Sequence, residues 1–150
     1  MPNALDDDAV NRKSAPHSRA PMATAMKVAQ ALLGLAGLAL IGLGFGLWSG
    51  RALNFVPLHE QLGIFIVVEL WVLAGIGAVY GVSRIRVAIA VVWGFVVIGF
   101  GFAQAGMMLG DLHWTIRILH LLVGLVALWQ GAVIAKQISV RSEARVRLPL

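Results

Sequence analysis

LHEQLGIFIVVELWVLAGIGAVYGVSRIRVAIAVVWGFVVIGFGFAQAGMMLG, residues 58–110, holds two long apolar runs joined by a short turn that carries Arg84 and Arg86. A helix needs about 20 apolar residues to cross a hydrocarbon layer roughly 30 Å thick. Leu58–Val82 and Val87–Gly110 both reach that length, and so do Val28–Ser49 before them and Trp114–Ala135 after them. Buried helices of soluble proteins are shorter and show a polar face. A membrane β-barrel shows alternating segments of about ten residues, and this chain has none. The pattern predicts an all-α, polytopic membrane protein, an antiparallel bundle of four transmembrane helices over about 28–49, 58–82, 87–110 and 114–136.

The charges orient the bundle. Arg12, Lys13, Arg19 and Lys27 precede the first run, Arg84 and Arg86 separate the second from the third, and Lys136, Arg141, Arg145 and Arg147 follow the fourth. The two connections on the other side carry only Arg51 and, at the mouth of the fourth run, Arg117. Short basic loops stay cytoplasmic, so both termini are expected in the cytoplasm of a bacterial cell, with the protein in the inner membrane. The net charge of +5 suits nucleic acid in a soluble chain. Here the cations flank helix ends, and anionic lipid headgroups are the better partner. With no cysteine in the chain, disulfides, thiolate-held iron–sulfur clusters, thioether-linked haem and thiol catalysis are excluded.

The chain divides into a tail over 1–25, a transmembrane domain over 26–138 and a basic tail over 139–150. The first tail is acidic at Asp6–Asp8 and proline-bearing, so it reads as disordered and cytoplasmic. Translation from Met26 would make the first run look like a signal peptide, but the run is long and Trp48-Ser49-Gly50 is a poor cleavage site. Gly34, Gly37, Gly42, Gly44 and Gly46 give the first helix small surfaces for close packing. Pro57 suits the entry to the second helix, and Asp111 is placed to cap the fourth. Trp48 and Trp114 are expected at the outer interface and Tyr80 at the inner one.

Polar groups at membrane depth are costly and ask for a reason. On the fourth helix His113, Arg117, His120, Gly124, Ala127 and Gly131 follow three-and-four spacing, so they share a face that should point into the bundle. An interfacial histidine, a snorkelling Arg117 paired with Asp111 and a small-residue seam account for most of it. His120, about 9 Å inside the helix start, fits that account less well. The second helix adds His59 and Glu60 at its outer end, and Glu69 about 15 Å deeper. Glu69 reads as a carboxyl hydrogen-bonded to a neighbouring helix, or as a proton-coupled group. Gln104 and Met108, four apart, reach the depth of His120 from the third helix. His59-x-x-x-Gly63 and His120-x-x-x-Gly124, each followed by a Leu-Trp pair (Leu70-Trp71 and Leu128-Trp129), form a faint internal echo.

The second and fourth helices run the same way on a diagonal, so their histidines can face one another. That arrangement would offer two axial imidazoles to a b-type haem, with His59 and His120 as iron ligands, Arg117 facing a propionate, and His113 and Gln104 nearby. The levels differ by several residues, so the bundle must tilt, or His113 must replace His120. His59–Gly63 and His113–Gly124 resemble the histidine–glycine segments of small membrane b-type cytochromes. That resemblance implies electron transfer, with a quinone or another membrane protein as partner. Leu58-His59-x-x-Leu62-Gly63 and His113-Trp114 are also similar to small bacterial four-helix membrane proteins, which implies the architecture alone. Two other readings remain open: a cofactor-free structural or partner-binding subunit, and a small proton-coupled transporter using Glu69. Enzymatic chemistry finds little support, with no phosphate-binding glycine loop and no His-Glu-x-x-His zinc motif. Another metal would need His113, His120 and either His59 or Asp111 together.

Overall fold

The computed structural model describes residues 19–108 and 110–147. The described chain is all-helical: α1 is Arg19–Trp48, α2 Val56–Val79, α3 Arg84–Ala103 and α4 His113–Arg147, with 3-10 turns at Leu53–Phe55 and Gln104–Gly106. All four helices are long and apolar enough to cross a membrane. Side-chain contacts place the end of α1 beside the start of α2, and the end of α3 beside the start of α4. The helices therefore run up and down. Among the described residues the backbones of α1 and α3 do not approach closely, whereas α2 and α4 meet across the diagonal. The end holding the α1–α2 and α3–α4 connections is called the connection end below, and the other the terminal end.

Several boundaries differ from the sequence expectation. Of the tail expected over 1–25, residues 1–18 lie outside the described residues, and 19–25 belong to α1. α4 continues through 139–147 of the expected basic tail, because no glycine or proline interrupts 132–147. α3 stops at Ala103, seven residues early. Met107 there is extended, while Met108 and Gly110 take φ of +48° and +98°. Pro57 lies in the first turn of α2 as expected. Leu112 precedes the first residue of α4, so Asp111 stands one residue before the cap position.

Each seam seats a large side chain on a glycine. A Cβ on Gly37 would fall 2.8 Å from Leu128, and one on Gly131 would fall 2.8 Å from Leu33, so α1 and α4 interlock reciprocally. A Cβ on Gly77 of α2 would fall 3.1 Å from Ile134 of α4. The Trp71 indole of α2 occupies the place a side chain on Gly94 of α3 would take, and its Nε1 donates to the Val91 carbonyl at 3.1 Å. Trp93 ties α3 to α4 in the same way, Nε1 donating to the Val123 carbonyl at 3.1 Å. Close backbone approach and interhelical hydrogen bonds are the adhesives available where lipid removes the hydrophobic drive. Not all of the α1 glycines serve this purpose: Gly34 and Gly42 have nothing within 4 Å. The histidine echo also breaks at its tryptophans, since Trp71 is packed on α3 and Trp129 is 64% exposed.

The core sits toward the terminal end, around Leu70, Leu73, Ala74, Ile134 and Ile138. The exterior is apolar: Leu38 and Val79 are 70% exposed and Ile85 73%. Trp48 and Trp114 stand exposed at the connection end, and Tyr80 lies at the terminal end beneath Arg145.

Candidate functional site

At the connection end the four helices do not close on one another. They surround a cavity of about 490 Å³, within the range of small-molecule and cofactor sites. Five glycines, Gly37, Gly44, Gly63, Gly101 and Gly124, line it, and their lack of side chains leaves the space. Its deep wall is apolar, from Leu40, Ile66, Val97 and Leu128. Its polar groups, His59, Glu60, Gln104, His113, Arg117 and His120, come from segments nearer the connection end. Phe45, Ile64, Phe102 and Leu125 line the cavity and are also exposed, so its walls reach the bundle exterior.

His59 and His120 face one another. Their ring centres are 6.1 Å apart, with planes inclined at 46°. Of the two pairings open in the sequence, the fold brings His59 to His120. His59 comes three residues after the start of α2 and His120 seven after the start of α4. At 1.5 Å per residue this offset shows α4 projecting about 6 Å, one turn, beyond α2 at this end. His113 is engaged elsewhere, its Nδ1–H donating to the Met107 carbonyl at 3.1 Å.

Both rings are set by their neighbours. Phe100 lies against His120 at 6.1 Å between ring centres and 23° between planes. A Cβ on Gly101 would lie 3.8 Å from Cε1 of His120, and one on Gly44 would lie 3.7 Å from Cε1 of His59. Nδ1 of each histidine is buried with no hydrogen-bond partner among the described residues. Buried polar atoms without partners are costly, and these two lie together in one cavity.

Arg117 and Gln104 line the cavity as expected, although Gln104 does so from the 3-10 turn after α3. Gln104 and Met108 do not share a helix face as expected, because the helix has ended and Met108 is exposed in a left-handed conformation. Gly124 and Ala127 of the predicted α4 face also line the cavity, and Gly131 continues that face into the seam with α1. Glu69 lies outside the cavity, with both carboxyl oxygens buried and without hydrogen-bond partners. Among the described residues no group of three or more histidine, cysteine, aspartate or glutamate side chains is assembled for a metal ion. Asp111 and His113 thus do not join the facing histidines. Among the described residues the lining includes no serine, threonine, cysteine or tyrosine. Phe100 and Gly101 were not singled out from the sequence. Their signal is position, three or four residues before Gln104 on the α3 stretch that approaches His120.

No protein-family model, curated protein or solved structure matches this chain.

Proposed function

We propose that the protein is a multi-pass component of a bacterial inner membrane that binds haem b between His59 and His120 and carries electrons. The observation that carries this reading is the 6.1 Å separation of the two rings across a glycine-lined cavity. Two imidazoles on opposite sides of one metal, each bonded at about 2.0 Å, have ring centres roughly 6 Å apart. His59 and His120, whose planes are inclined at 46°, would be the residues that hold the iron. The two buried nitrogens support the same reading, since a group bound in the cavity would supply partners that the rings lack.

When bound, haem supplies an iron centre for reversible one-electron transfer. The chain's residues do the rest. His59 and His120 hold the iron, and Phe100 restrains the His120 ring. Gly44 and Gly101 keep the space beside the imidazoles clear. Arg117 stands at the polar side of the cavity, where a propionate would be paired. Electrons would pass to or from a quinone or a membrane partner, for which the exposed walls at Phe45 and Phe102 offer an approach.

The membrane reading rests on four apolar helices, and the orientation on the basic residues gathered at the terminal end. Reporter fusions are expected to place the C-terminus in the cytoplasm; an external C-terminus would contradict the charge argument. The haem reading is tested by a reduced-minus-oxidised absorption spectrum of protein purified in mild detergent from haem-supplemented cells. A b-type spectrum with close to one haem per chain is the expected result. A colourless, folded bundle would reject it and leave the cofactor-free subunit.

A further inference from the structure

At the terminal end α4 lays its last turns against the α2–α3 turn. Gly81 in that turn has φ +79°, and a Cβ on it would lie 3.4 Å from Nη1 of Arg141. Arg145 is held beside it: its Nη2 donates to the Val79 carbonyl at 3.1 Å, and its Cζ lies 5.2 Å from the Tyr80 ring centre. Two guanidinium groups of α4 thus stand over a turn whose next residues are Ser83, Arg84, Ile85 and Arg86. All four arginines are exposed. The first turn of α3 has no acidic residue, and the one acidic residue of α4, Glu143, is exposed.

Arg84 and Arg86 next to the turn, with Arg141 and Arg145 resting on it, gather positive charge at this end of the bundle that an anion would offset. The carbonyl and ring contacts occupy Arg145, while Arg84, Arg86 and Arg141 keep donors in the planar fork that matches phosphate. We propose that the α2–α3 turn, with Arg84, Arg86 and Arg141 around it and Arg145 clamped behind them, binds the phosphate of an anionic lipid headgroup. A lipid is the source because the turn joins two membrane-length helices and so lies at headgroup level, where basic pockets between helices take such groups. This inference shares the membrane placement with the proposed function but not the haem, and a colourless protein leaves it standing.

The test measures phosphatidylglycerol and phosphatidylcholine retained by the full-length protein in mixed micelles. Wild type is expected to prefer phosphatidylglycerol. Arg84→Gln combined with Arg141→Gln should weaken that binding by about 30-fold, at roughly a fivefold loss per charge near the surface. Arg51→Gln, at the opposite end, should leave it unchanged. Equal retention of the two lipids, undiminished binding by the double variant, or an equal loss in Arg51→Gln would overturn the proposal. Competition by millimolar inorganic phosphate would overturn the lipid assignment in favour of a soluble anion. Should the double variant unfold, Arg141→Lys is read in its place. It keeps the charge and loses the fork, so binding should weaken, and unchanged binding would overturn the proposal.

Discussion

Replacing either His59 or His120 by alanine is expected to remove essentially all bound haem, while the helical circular dichroism stays at the wild-type level. The two rings face one another at 6.1 Å and would act as a pair, so neither substitution would leave a complete site. Changes to groups that merely support a metal ligand cost about 10- to 100-fold in affinity, and loss of the ligand itself should exceed that range. His113→Ala supplies the contrast. Its ring is tied to the Met107 carbonyl at 3.1 Å, so haem content should survive. Haem retained in His120→Ala and lost in His113→Ala would show that the pairing is wrong. Haem retained in all three would remove the histidines from the site.

Gly94→Leu is expected to destabilise the bundle by about 3 kcal/mol. Over-packing a close contact costs about 1–3 kcal/mol, and the displaced neighbour here is not a loose chain end. The Trp71 indole fills the space, anchored by its hydrogen bond to Val91, and the fully buried Val67 lies 3.0 Å from the same point. Moving the indole forfeits an interhelical hydrogen bond worth on average about 0.6 kcal/mol. Equilibrium unfolding in mixed micelles measures the change. Gly99→Leu, on the same helix with nothing within 4 Å, should shift stability by no more than about 0.5 kcal/mol. Equal effects at the two positions would show that the seam is not closely packed.

The four helices were legible because length and apolarity, quantities local to the chain, decide whether a segment can span. Their ends were less legible. α3 stops at Ala103 because the chain turns through Met107, Met108 and Gly110, and the left-handed conformation of Met108 is written in no sequence signal. α4 runs on to Arg147 because nothing in 132–147 breaks it, and its Arg145 finds a partner on α2 that only the folded chain provides. The cavity follows the same division. His59, Gln104, His113, Arg117 and His120 were recognisable as polar groups needing a reason at depth, and all five line it. Which histidine meets His59 depends on how far α4 slides past α2, a property of packing between helices rather than of either helix alone. The roles of Phe100 and Gly101 are invisible for the same reason.

Electron paramagnetic resonance of the oxidised, haem-replete protein tests the central claim most directly, because it reports on the axial ligands themselves. Ligation by His59 and His120 predicts a low-spin ferric signal with close to one spin per haem, absent from both alanine variants. A high-spin signal, or a low-spin signal that persists in His59→Ala or His120→Ala, would contradict the assignment of these two residues as the paired ligands.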